Sequence, residues 1–206
     1  MTDDTRALRS QRQHVRNDPG SCTFPAGAWQ RRALIGAGFG LISGTAQAQS
    51  DPAVERPRQG DLLVRIDDQT RTPLTAETLH IGDGQMLAWP LDPVSKVVRD
   101  GSRLNKVLIV RLDPAALDAQ TAARAADGIV AYSAICPHAG CEVVNWLADR
   151  RLLDCPCHNS EYDPKSSAKV VGGPSPRSLA ALPLQIVDNR LAVAHPFIGH
   201  LGIQQV

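Results

Sequence analysis

Two boxes carry the residues of this chain best suited to hold a metal. The first is Cys136-Pro137-His138-Ala139-Gly140-Cys141, the second Cys155-Pro156-Cys157-His158-Asn159-Ser160-Glu161-Tyr162-Asp163. They offer Cys-x-His and Cys-x-x-His, with 16 residues between His138 and Cys155. Two thiolates and two imidazoles have two common uses. One is a tetrahedral zinc site. The other is a two-iron cluster in which the cysteines hold one iron and the histidines the other. Ligand type alone does not decide, so the surroundings matter. A zinc site has no use for a further cysteine in each box. Cys141 and Cys157 stand at equivalent places, where a disulfide could clamp the two loops at a gain of ~3 kcal/mol on the chain-entropy account. Ser160 and Tyr162 follow His158 at short offsets and can aim hydroxyls at sulfur. Gly172-Gly173-Pro174 offers a third loop able to lie across the site.

These boxes need strands to bring them together. Short β-type runs bounded by turn residues predict strands at Asp61–Ile66, Lys106–Leu112, Ile129–Ala134, Arg151–Asp154, Leu182–Val187 and Leu191–Ala194. The run at Lys106–Leu112 is the strongest and reads as a central strand. Ile129–Ala134 leads directly into Cys136, and Arg151–Asp154 into Cys155, so each box is a loop at a strand end. Asp188-Asn189-Arg190 predicts a hairpin turn. Pro114–Ala126 reads as a helix, with Asp113 as its cap and Pro114 at its first position. Leu74–Leu79 reads as a turn or two of helix. The fold class expected is an all-β domain of antiparallel sheets with small helical insertions.

Composition agrees. Gly (16) and Pro (15) suit a loop-rich β domain, and an aromatic content of 4% requires an aliphatic core. A net charge of +1 excludes a nucleic-acid binder working by charge excess. No residue set suggests a nucleophile or a general base. His80, His195 and His200 have no partner box nearby and are not read as metal ligands. Trp89 and Trp146 read as core, and Arg150-Arg151 as a solvated turn.

The first 48 residues read as an export signal. Arg31-Arg32 precedes an apolar stretch of ten residues, Ala33–Ile42, and Ala46-Gln47-Ala48 supplies a small-residue cleavage pattern. The paired arginines resemble a twin-arginine address. A bilayer span takes about 20 apolar residues, more than this stretch offers. If retained, the segment would anchor the chain to a membrane. Residues 49–60 read as an exposed linker and residues 61–206 as the domain. Export places Cys136, Cys141, Cys155 and Cys157 in an oxidising compartment.

Over residues 129–194 the chain resembles Rieske iron–sulfur proteins, with the two boxes, their separation and the proline loop all in agreement. The resemblance implies a Rieske-type sheet architecture whose cluster-binding part covers about residues 129–180. It implies a 2Fe-2S cluster with Cys136 and Cys155 on the buried iron and His138 and His158 on the outer one. It implies a Cys141–Cys157 disulfide, Ser160 and Tyr162 as tuning hydroxyls, and Gly172, Gly173 and Pro174 as the covering loop. A disulfide marks the high-potential branch, which includes cytochrome bc-type subunits and the arsenite oxidase small subunit. Ring-hydroxylating dioxygenase ferredoxins lack it. Two positions depart from the bc-type pattern: Asn159 replaces a usual Gly, and Ala139 a bulky apolar residue. Asn tolerates positive φ better than other non-glycine residues, so the turn is expected to survive.

The function this implies is that of an exported, periplasmic one-electron carrier with no catalytic site of its own. Its expected partners are a larger catalytic oxidoreductase subunit, such as an arsenite oxidase-type enzyme, and a cytochrome c-like acceptor. The alternatives are the Rieske subunit of a quinol-oxidising cytochrome bc complex and a zinc-stapled binding domain.

Overall fold

The computed structural model describes residues 51–203. The export signal expected over residues 1–48 lies outside them. Among the described residues no helix is long and apolar enough to cross a membrane.

The fold consists of two antiparallel sheets. Six strands form the larger one: β1 Leu62–Arg65, β2 Gln85–Leu91, β3 Val107–Arg111, β4 Ile129–Ser133, β9 Leu184–Val187 and β10 Arg190–Val193, in the order β4-β3-β2-β1-β10-β9. The smaller sheet holds β5 Asn145–Leu147, β6 Leu152–Cys155, β7 Ser160–Asp163 and β8 Lys169–Gly172, in chain order. The all-β expectation therefore holds.

β3 is an interior strand, paired with β2 on one side and β4 on the other. It is apolar without alternation because both its faces are buried. Val107 and Ile109 enter one core with Leu63, Ile129, Leu182 and Leu191. Leu108 and Val110 enter a second core with Val130, Tyr132, Leu153 and Tyr162. Successive strand residues point to opposite faces, so a strand between two cores shows a continuous hydrophobic run. The second core also contains Cys136 and Cys155, so the packing that joins the two sheets extends into the metal-type loops.

The helix expected over Pro114–Ala126 divides into a 3-10 turn at Pro114–Ala116 and a short helix, α1, at Ala119–Ala122. Leu117 between them is extended, at φ −81° and ψ 138°. Asp118 then starts afresh: its amide donates to the Lys165 carbonyl, and its carboxylate caps the Thr121 amide at 2.7 Å. A tertiary hydrogen bond and a second capping aspartate outweigh the helix propensity of an alanine-rich stretch. The stretch around Leu74–Leu79 forms a 3-10 turn at Ala76–Thr78. The β9–β10 hairpin turns on Asp188 and Asn189, both at positive φ (48° and 61°). This is the geometry a two-residue hairpin loop requires.

Residues 51–60 are largely exposed but tied to the domain. Pro57 is buried. The Glu55 carbonyl accepts from Asn105 Nδ2 at 2.7 Å, and the Gly60 amide donates to the Val193 carbonyl at 2.9 Å. The main tie is Arg99, whose side chain is 1% exposed. Its guanidinium pairs with Asp61 at 2.6 Å, Glu55 at 3.1 Å and Asp92 at 3.3 Å, and donates to the Pro52 carbonyl.

Candidate metal centre

The two boxes fold alike. Each opens on Cys-Pro at the end of a strand, and each closes with an amide four residues on. The Gly140 amide donates to the Cys136 carbonyl at 3.0 Å, and the Asn159 amide to the Cys155 carbonyl at 2.9 Å. Both closing residues have positive φ, 73° for Gly140 and 54° for Asn159. Asn159 thus adopts the turn at which a glycine is usual. β4 carries the first loop and the β6–β7 turn the second, so the site joins the two sheets.

The cysteines separate into two kinds. Cys141 and Cys157 form a disulfide, with Cα atoms 6.5 Å apart. Cys136 and Cys155 are free and buried, each 1% exposed. The Cys155 sulfur lies within 4.8 Å of both disulfide sulfurs. Those two are bonded to each other, so Cys155 alone of the three can bind a metal. Burial pushes the Cys155 thiol up, and the Cys136 thiol beside it adds to the effect. Two neighbouring buried thiols become thiolates when a cation neutralises them.

The imidazoles of His138 and His158 meet edge to face with ring centroids 4.6 Å apart. His158 is exposed and His138 partly so. The site therefore places a sulfur pair toward the core and an imidazole pair toward solvent.

The hydroxyls come from β7, where alternation turns Ser160 and Tyr162 inward and leaves Glu161 and Asp163 half-buried. The Tyr162 hydroxyl lies 3.1 Å from Cys136 Sγ. Burial above all, and then Cys136, pushes its phenol well above the ordinary range. It stays protonated and donates to the sulfur. Ser160 Oγ is fully buried and has no hydrogen-bond partner among the described residues, and neither does His138 Nδ1. Leaving a buried polar atom unpaired costs about 1–3 kcal/mol, so both atoms call for a bound group. A sulfur-rich cluster would supply acceptors for the one and take the other as a ligand. The donor set fits it.

The third loop packs directly on the second. A Cβ built at Gly173 would stand 2.3 Å from the Asn159 carbonyl oxygen and 2.5 Å from Ser160 Cα. Gly173 also has φ +78°, so only glycine meets both conditions without strain. Gly172 closes β8, and Pro174 is exposed.

Sequence reasoning did not foresee several supports of these loops. Arg103 donates to the Gly140 carbonyl. Lys106 pairs with Glu142 at 2.6 Å. Ser175 is buried behind Tyr162 and bonds the Arg177 carbonyl at 3.0 Å. Charged residues at strand starts read as solvated, and nothing in their spacing points to a loop 37 residues away. Arg150 lies in an exposed turn, as expected, and pairs both nitrogens with Glu161 at 2.7 Å. Trp146 packs against the second core, and Trp89 against a small third one, with Lys106 Nζ 5.3 Å from the Trp89 ring centroid.

Residues 103–183 match the Rieske [2Fe-2S] domain family. A cytochrome bc1 complex Rieske iron-sulfur subunit of Streptomyces lividans is 35% identical over 134 residues, covering 64% of this chain and 77% of that protein. A cytochrome b6-f complex iron-sulfur subunit of Prochlorococcus marinus is 46% identical over 70 residues, covering 33% of this chain and 38% of that protein. A Rieske protein of Haloferax mediterranei assigned to a respiratory nitrate reductase is 42% identical over 76 residues, covering 36% of this chain and 34% of that protein. The chain thus spans about a third of the length of the latter two. Together with a site whose donors suit a 2Fe-2S cluster, the match establishes that this chain belongs to the Rieske [2Fe-2S] family.

Proposed function

We propose that Cys136 and Cys155 hold the inner iron and His138 and His158 the outer iron of the 2Fe-2S cluster, and that the chain is the electron-transfer subunit of a larger exported oxidoreductase. Such a cluster, when bound, takes up and releases one electron at a time. The observation that carries the reading is the division of the site into buried free thiols and adjacent, outward-facing imidazoles. Each neighbouring residue then has a task. The Cys141–Cys157 bond keeps the two loops together. Tyr162 and Ser160 place hydroxyls on the sulfur side and favour the form with the extra electron. Ala139, Pro156, His158, Asn159 and Pro174 are exposed, which suits close approach of a partner to the His158 ring.

The short apolar stretch at Ala33–Ile42 and the paired Arg31-Arg32 support export by the twin-arginine route and a periplasmic location. On this reading the chain works as the small subunit of an enzyme of the arsenite oxidase type and passes electrons to a cytochrome c-like acceptor. The relatives favour a second reading, since two of them are subunits of cytochrome bc1 and b6-f complexes. In that case the exposed His ligand would take a hydrogen bond and a proton from quinol.

Purification from the native compartment tests both, by iron and sulfide analysis, N-terminal sequencing and identification of the co-purifying subunit. A soluble protein starting near Gln49 with a large redox subunit is the expected result. A chain that keeps Ala33–Ile42 and sediments with a b-type cytochrome would replace the first reading by the second. A preparation containing zinc and no sulfide would refute both.

A further inference from the structure

A second concave site is lined in part by residues that follow the covering loop. It is an open cleft of about 350 Å³, and four separate stretches of chain converge on it. Gln120 comes from α1 and Arg124 from just beyond it. Ser167 comes from the turn between β7 and β8. Arg177 and Ser178 follow the covering loop, and His200 comes from the C-terminal segment. No carboxylate lines the cleft.

The charges there are unneutralised. The Arg124 backbone is fixed, its carbonyl accepting from the Leu184 amide at 3.0 Å. Its guanidinium has no ion pair among the described residues, although Arg58, Arg65, Arg99, Arg111, Arg150 and Arg190 each have one. Arg177 gives Nη2 to the Gly202 carbonyl and leaves Nη1 without a protein acceptor among the described residues. Ser167 Oγ donates to Gln120 Oε1 at 3.0 Å, which orients that amide so that its Nε2 remains free to donate. The cleft thus presents two guanidiniums, the Gln120 amide, the Ser178 hydroxyl and the His200 imidazole, all able to donate, around one open space.

We propose that this cleft binds a phosphate group. Arginine forks match tetrahedral oxyanions with paired, charge-assisted hydrogen bonds. Two arginine charges without a carboxylate beside them suit a dianion, and a phosphate group carries about −1.5 to −2 near pH 7. The group could be free phosphate or the headgroup of an acidic phospholipid, since the chemistry recognised is the same. The cleft shares no residue with the metal centre, and the proposal does not depend on the electron-transfer reading.

The test is a titration of the full-length holoprotein with inorganic phosphate, followed by calorimetry, with chloride holding the ionic strength constant. Sedimentation with phosphatidic acid vesicles and with phosphatidylcholine vesicles forms the second arm. The expected result is saturable binding of phosphate, of phosphatidic acid vesicles, or of both, but not of phosphatidylcholine. Arg124→Gln and Arg177→Gln should each weaken it at least tenfold, with the visible spectrum of the metal centre unchanged. Binding to phosphatidic acid without binding to free phosphate, with the same arginine dependence, would support the proposal and identify the headgroup as the source. Failure of both arms, or binding that neither substitution alters, would overturn it. Arg124→Gln decides alone if Arg177→Gln loses the Gly202 contact and fails to fold, because the hydrogen bonds of Arg124 among the described residues come from its backbone and survive the substitution.

Discussion

Replacing Tyr162 with Phe removes one oxygen from a fully buried ring and leaves its packing in place. That oxygen lies 3.1 Å from Cys136 Sγ. The phenol is held protonated by burial and by the neighbouring sulfur, so it has a proton to donate to that sulfur. A hydrogen bond to a charged acceptor contributes about 1.5–3 kcal/mol. The sulfur carries more negative charge in the reduced state, so the bond is stronger there and its loss disfavours reduction. If the whole bond were gained on reduction, the midpoint potential would fall by roughly 60–130 mV, at ~59 mV per tenfold for one electron. The bond exists in both states, so that figure is the ceiling. Protein-film voltammetry of the parent and Tyr162→Phe measures the shift, with the visible and EPR spectra as controls for an intact cluster. The second buried tyrosine makes a useful comparison. Tyr132 is equally enclosed, but its hydroxyl donates to the Pro164 carbonyl at 2.7 Å. Tyr132→Phe should leave the potential where it was. Equal potentials for Tyr162→Phe and the parent, or equal shifts for the two tyrosine variants, would refute the argument.

Ser160→Ala should also lower the potential, since the buried hydroxyl has no acceptor among the described residues and is left with the bound group; voltammetry reads this directly. Cys141→Ser should cost on the order of 2–5 kcal/mol and shorten the lifetime of the visible chromophore, because the disulfide spans the two loops. Gly173→Ala should prevent retention of the cluster, since the added methyl meets the Asn159 carbonyl at 2.3 Å, and iron content after purification checks it. The pH dependence of stability should carry a term from Asp118, whose carboxylate is held below its ordinary value by the Thr121 amide. A lowered folded-state value stabilises the fold above about pH 3.9, and the contribution declines as pH falls through the folded value. The difference in melting temperature between the parent and Asp118→Asn should therefore close as pH is lowered from about 6 toward 3.

What the sequence determined by itself was chemistry that is local in the chain. Cys136, His138, Cys155 and His158 lie within short boxes, and the turns that shape them depend on residues such as Gly140 and Asn159 whose φ preferences are intrinsic. The strand at Val107–Arg111 was legible because both its faces are buried, which leaves a continuous apolar run. The inward turn of Ser160 and Tyr162 follows from a spacing of two. Tertiary structure decided the rest. β5, β7 and β8 are short or carry mixed polar residues, and β2 contains Pro90, which argues against a strand in sequence; all four become strands through their neighbours in the sheet. The Pro114–Ala126 stretch splits because Asp118 finds a partner at Lys165, which no helix propensity reveals. Arg99 is buried only because Glu55, Asp61 and Asp92 surround it. The clasp of Arg103 on Gly140 and the meeting of Arg124, Arg177 and His200 in one cleft unite residues 23 to 76 positions apart. A charged side chain looks the same in a sequence whether it faces water or a buried partner. Only the packing of the two sheets determines which it meets.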